Sequence, residues 1–154
     1  FLAKVYGFHR SFCMKTNLGR GSFKNPGLML ALNNGGSCRG SAFRLNRNDA
    51  IKNIDILFKR EMVTGAYKPK LIKTKLDNNK NVLSLAFTVD KNHKNYFAKK
   101  STSIKAKMIF KAHGFLGTCQ EYFDNTFESL EELAIKDLEM RAISNHLKKF
   151  NKKS

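Results

Sequence analysis

IKNIDILFKREMVTGAY, Ile51 to Tyr67, is a helix-period stretch lying between two groups of strand-like segments, and its reading decides the fold. At about 100° per residue, Ile51, Ile54, Leu57, Phe58 and Met62 fall on one apolar stripe. Glu61 projects into that stripe, between Leu57 and Ile54. A carboxylate there loses hydration and faces the negative end of the helix macrodipole; both effects disfavour the anion and suit the group to accepting a proton. The competing reading is a solvated or salt-bridged Glu beside Lys59 and Arg60.

Outward from this helix, Asn46 or Asn48 offers an N-cap, Asp49 favours the first turn, and Gly65 offers a left-handed C-cap. Upstream, KVYGFHRSFCM (Lys4 to Met14) reads as a strand, and Lys15 to Gly27 as a loop punctuated by Gly19, Gly21, Pro26 and Gly27. Backbone so free of Cβ atoms can approach another segment closely; Arg20, between two of the glycines, is solvated by default. Leu28 to Leu32 and Ser37 to Leu45 flank Asn33-Asn34-Gly35-Gly36, which predicts a tight hairpin turn. Downstream, Tyr67 to Leu76 is a strand with Pro69 at an edge, and VLSLAFTV (Val82 to Val89) reads as its antiparallel partner, buried on both faces.

After a polar loop, Asp90 to Lys100, three helices follow. Ser101 or Thr102 caps the first, with Ile104, Met108, Ile109 and Ala112 at helical spacing and Gly114 as its stop. Thr118 and Glu121 form a capping box for the second, whose inner stripe is Tyr122, Phe123, Thr126, Phe127 and Leu130. Asp137 caps the third, with Leu138, Ala142, Ile143, His146 and Leu147 facing inward. Strands first and helices second, with one helix between strand groups, predict an α+β fold whose sheet is mainly antiparallel and barrel-like; a regular βαβ series does not fit.

The 154 residues, 42% hydrophobic with thirteen Phe, suit one domain over residues 1–150 and a basic tail at 151–154. No long uncharged apolar run predicts a membrane helix, and the start lacks the series of a signal peptide. The net charge of +17 raises polyanion binding. Lysines scattered from Lys4 to Lys153 and sparse Arg argue against a specific nucleic-acid site. Cys13, Cys38 and Cys119 have neither CxxC nor zinc-ligand spacing and read as reduced thiols in a cytoplasmic protein.

His9, His93, His113 and His146 show no HxxxH or HExxH relation, and GxSxG, GxGxxG and P-loop motifs are missing. What remains is Glu61 with Tyr67 and Tyr122 as candidate hydroxyl partners, each tyrosine being by default a core aromatic with a wet hydroxyl. A one-carboxylate site suits a substrate that brings its own nucleophile, since holding both reacting groups in one molecule supplies most of the entropic advantage.

The blocks VYGFHRSFCM (5–14), RGSFKNPGLMLAL (20–32), GGSCRGSAFRL (35–45), FKREMVTGAYKPK (58–70), LAFTVD (85–90) and HGFLGTCQEYF (113–123), in this order, resemble the ChaC-like gamma-glutamylcyclotransferases. The resemblance implies a closed antiparallel barrel with flanking helices. It also implies cleavage of gamma-glutamyl compounds, notably glutathione, to 5-oxoproline and Cys-Gly, with no metal or organic cofactor. It places the catalytic carboxylate on Glu61, the tyrosine touching the gamma-glutamyl group on Tyr122, and a second substrate-side aromatic on Tyr67. The partner implied is a small molecule, and the chain is expected to be monomeric, with no membrane contact. Family members open with a strand and a YGSL-type glycine loop, expected upstream of Phe1; without them the chain is expected to have little activity. The reading from a different class is a basic, non-catalytic polyanion-binding module on the same fold.

Overall fold

A computed structural model describes residues 1–152; the last part of the expected basic tail, Lys153 and Ser154, lies outside the described residues. The elements are β1 (Leu2–Thr16), β2 (Gly27–Ser41), α1 (Ala50–Glu61), β3 (Tyr67–Leu76), β4 (Asn81–Val89), α2 (Thr102–Lys111), the short β5 (His113–Gly114) and β6 (Gly117–Thr118), α3 (Cys119–Glu132) and α4 (Leu138–Asn151). β1, β2, β4 and β3 close into a barrel in that order, giving the expected α+β fold. The barrel is mixed: β3 runs antiparallel to β1 and β4, whereas β2 meets β4 in parallel at Leu32 and Thr88.

The chain forms two compact units, Phe1–Arg10 with Leu32–Tyr96, and Ser11–Ala31 with the chain from Phe97 onward. In the first, β3 and β4 pair from Tyr67 opposite Val89 to Lys75 opposite Asn81, as the alternation predicts. Pro69 lies beyond the stretch paired with β1, which begins at Thr74, so its missing N–H removes no bond on that side. Ile72, Thr74, Thr88 and Val89 are buried, and the two threonine hydroxyls donate to the Ile72 and Lys68 carbonyls.

Several expectations are corrected here. The Asn33–Gly36 step is no hairpin turn: β2 runs straight through it, with Gly35 at φ 97° and Gly36 at φ 71° supplying left-handed conformations inside one continuous strand. The same backbone freedom that makes a turn is used here within a strand that continues to Ser41. β4 is not buried on both faces, because Val82 and Leu83 are exposed. Helix α1 ends at Glu61, well before Tyr67, and Asp49 is its N-cap without a side-chain cap bond. Of its predicted stripe, Ile54, Leu57 and Phe58 are half-buried, while Ile51 and Met62 are exposed.

The second unit holds a denser core of Phe12, Cys13, Leu28, Ile109, Phe123, Met140, Ile143 and Leu147. Phe123 lies 5.3 Å from Phe12 and stacks on Phe127 at 5.9 Å, realising the predicted stripe of α3. The caps are those read from the sequence: Ser101 accepts from the Ile104 amide, Thr118 from Glu121 and Asp137 from Met140. Ile104 and Leu138, predicted to face inward, are exposed. In their place Lys105 is buried, its ammonium bonded to the Glu139 carboxylate and donating to Ser11 Oγ at 3.1 Å, while Ser11 Oγ donates to Glu139 at 3.1 Å.

This three-way cluster satisfies a cation that burial would otherwise penalise heavily. Glu139→Leu is therefore expected to destabilise the protein by roughly 3 kcal/mol, by stranding Lys105. Lys105→Met combined with Glu139→Leu should cost clearly less. Urea unfolding of both variants checks this, and equal losses would contradict it.

Candidate active site

Glu61 is the last residue of α1 and stays on its half-buried face with Ile54, Leu57 and Phe58, the placement the periodicity predicts. The edge of the Phe58 ring meets Phe87 of β4 at 5.4 Å, which seats the helix on the sheet. The Glu61 side chain is 25% exposed, and Oε1 accepts from Arg60 Nε at 2.8 Å. The pair between sequence neighbours, with Arg60 mostly exposed, contributes at most about 1 kcal/mol and leaves the carboxylate free to exchange partners. Lys59 is engaged elsewhere, with Asp55 at 2.7 Å.

The chain just beyond Glu61 is held by the far end of β4. The Asp90 amide donates to the Ala66 carbonyl at 2.8 Å, and the Asp90 carboxylate pairs with Lys68 at 3.1 Å. His93 accepts the Asn95 amide on Nδ1, so its proton sits on Nε2 and is donated to the Thr64 carbonyl at 3.1 Å. Tyr67, half-buried, follows this turn as the first residue of β3. Neither Asp90 nor His93 stands out in sequence, since both lie in a polar loop with no spacing that marks them.

Tyr122 belongs to the second unit, one turn into α3 and half-buried. Its hydroxyl accepts the Leu30 amide at 3.4 Å, and its ring meets Phe12 edge-on at 5.9 Å. Cys119, one turn earlier, accepts from the Leu28 amide at 3.4 Å and donates to the Leu28 carbonyl at 3.3 Å. Burial pushes the Cys119 thiol up, and burial likewise raises Cys13, to about 11. All three cysteines are free thiols. Arg20, solvated by default in the sequence reading, is instead paired with Glu121 at 2.7 Å. Among the described residues, no group of three or more His, Cys, Asp and Glu side chains could hold a metal ion.

The architecture is that of the gamma-glutamyl cyclotransferase fold. The chain superposes on a crystal structure of a selenomethionine-labelled yeast gamma-glutamyl cyclotransferase specific to glutathione with a TM-score of 0.86 at 15% identity, covering 97% of this chain and 87% of the other. A second structure described as the yeast protein matches with a TM-score of 0.76 at 16% identity, covering 97% and 89%. At such identities the likeness is one of fold. Residues 1–150 match the sequence profile of the ChaC-like proteins, and the chain belongs to that family. The glutathione-specific gamma-glutamylcyclotransferase of Escherichia coli strain K12 is 35% identical over 133 residues, 86% of this chain and 58% of the relative. The chain thus spans less than two thirds of that relative's length.

The Asp90 anchor carries a pH signature. The Asn92 amide, and then Lys68, hold the Asp90 carboxyl below its ordinary 3.8. A group whose folded value is depressed stabilises the fold above its unfolded value and loses that contribution as pH falls through the folded one. The stability difference between wild type and Asp90→Asn should therefore be constant above about pH 5 and close as pH drops below about 4. Thermal unfolding across this range tests it, and a difference that widened on acidification would contradict it.

Proposed function

We propose that this chain is the catalytic body of a gamma-glutamylcyclotransferase that releases 5-oxoproline from glutathione. The observation that carries the reading is Glu61: a carboxylate at the end of a helix, on its half-buried face, held among the described residues by a weak and exchangeable pair to its neighbour. Membership of the ChaC-like family, and the name of the Escherichia coli relative, support catalysis on glutathione over a non-catalytic basic module.

In this mechanism the substrate's α-ammonium group displaces Arg60 as the partner of Glu61. Glu61 takes one proton, and the freed amine attacks the γ-carbonyl carbon, forming the C–N bond of a five-membered ring. Collapse of the tetrahedral species breaks the bond to the cysteinyl nitrogen. Glu61 returns its proton to that nitrogen as the bond breaks, the second proton shed by the ring nitrogen passes to the same departing amine, and Cys-Gly leaves as its ammonium with the carboxylate regenerated. The oxyanion that develops in between needs donors, commonly backbone N–H groups. Tyr122 is assigned to the gamma-glutamyl group and Tyr67 to a substrate-side contact. Three free thiols suit a reducing compartment, and the proposed setting is the cytoplasm, as a monomer.

Expressed from its whole reading frame, the protein should release 5-oxoproline and Cys-Gly from glutathione. Glu61→Gln is expected to lower kcat by about 10²- to 10⁴-fold without unfolding the protein. Undiminished turnover in Glu61→Gln would refute the assignment of the base, and equal turnover of gamma-glutamyl amino acids would refute glutathione as the substrate.

A further inference from the structure

We propose that Arg20 is a positioning residue that sets the Tyr122 hydroxyl by gripping the first turn of α3; its catalytic consequence rests on the reading that Tyr122 touches the gamma-glutamyl group. Arg20 Nη1 donates to Glu121 Oε2 at 2.7 Å and to the Thr118 carbonyl at 3.3 Å. Thr118 is the N-cap of α3, and Glu121, immediately before Tyr122, already gives its amide to Thr118 Oγ1 at 3.0 Å. In a closed capping box the Glu carboxylate would turn back to the N-cap amide. Here it is held by Arg20, so one guanidinium ties both ends of the cap.

The glycines give this contact its geometry. A Cβ on Gly117, whose φ is 109°, would lie 2.5 Å from Glu121 Oε2 and 2.8 Å from Arg20 Nη1, in the space the ion pair uses. A Cβ on Gly114 would lie 2.1 Å from the Gly19 carbonyl oxygen, and the Leu116 amide donates to that same oxygen at 2.9 Å. The Arg20 loop is therefore seated backbone-on-backbone against the turn that leads into α3, and its side chain has a fixed origin.

The same helical turn is also gripped by β2. Residues 119 and 122 are one turn apart, and 28 and 30 share one face of a strand, so Cys119 meets Leu28 while the Tyr122 hydroxyl meets the Leu30 amide. Chain from Arg20 to Leu30 thus holds the start of α3 through both a loop cation and backbone groups of β2. The Arg20–Glu121 pair is partly exposed, with Glu121 at 58%, so it adds little to global stability. Its effect is on where the turn sits. Both bonds leave the one nitrogen Nη1, whose two N–H groups reach two acceptors on one turn.

The test has one structural and one kinetic readout. By NMR hydrogen exchange, Arg20→Met and Glu121→Gln should each speed exchange of the Leu30 amide by about tenfold or more while the melting temperature stays nearly unchanged. In the whole protein Arg20→Met should raise KM for glutathione about tenfold with kcat within about threefold, because Tyr122 is assigned to binding. Adding Arg20→Met to Tyr122→Phe should bring no further rise in KM, since both act through one hydroxyl. Arg20→Lys should restore part of the loss. Unchanged Leu30 exchange in both single variants, or KM effects that multiply in the double variant, would overturn the proposal. If Tyr122→Phe alone left KM unchanged, the substrate role of Tyr122 would fall, while Leu30 exchange would still decide where Arg20 acts.

Discussion

Closing a barrel with four strands leaves a narrow interior, and β3 and β4 of the first unit are built within that constraint. Diameter scales with strand number, and on the paired strands β3 and β4 the buried side chains include the small Thr74 and Thr88 beside Ile72. No residue of α1 is buried there. The helix lies against the sheet through Phe58 and Phe87, with its apolar stripe only half covered. A carboxylate on that stripe is desolvated in part but not sealed, which on the proposed reading suits a group that meets a substrate and exchanges a proton with it.

The two carboxylate–cation contacts of Glu139 and Glu61 show how burial separates structure from chemistry. Lys105 is 2% exposed, so its pairing with Glu139 and Ser11 is obligatory: neither partner can leave without stranding a charge. Glu61 pairs with an Arg60 that is 71% exposed, so water can replace either group at little cost. The tight cluster fixes packing in the second unit, and the loose pair in the first leaves Glu61 able to exchange partners. The same residue types serve both ends because solvent access sets the strength of the bond.

Much of this was legible in the sequence, and the misses have physical causes. Capping residues were readable because their bonds are local: Ser101, Thr118 and Asp137 each accept an amide three residues on. The β3–β4 pair was readable from alternation around a short polar turn. The Asn33–Gly36 step misled because left-handed glycines serve a turn and the inside of a strand alike, and the continuation of β2 to Ser41 is not a local property of those four residues. Lys105 was unreadable because its partners Ser11 and Glu139 lie 94 and 34 residues away in sequence. Glu61 was placed by periodicity on the right face, whereas its role came from the resemblance, since a lone carboxylate identifies no reaction. Arg20 sat in a loop whose glycines signalled a close approach without naming what it would meet.

The net charge of +17 belongs in the same account. Lysines on exposed positions of β3, such as Lys73 and Lys75, and of α4, such as Lys148 and Lys149, face water and hold no fold contact comparable to that of Lys105. Their summed field nonetheless acts at a distance. Glutathione at neutral pH carries two carboxylates and one ammonium group, so on the proposed reading a strongly positive protein draws its substrate inward before any specific contact forms. Such steering needs only a sign and an amount of charge, with no fixed geometry, which is why scattered lysines suffice. Recognition at the reacting end would demand the opposite, a few groups held in place, and on the proposed reading the Arg20–Glu121 pair beside Tyr122 meets that demand.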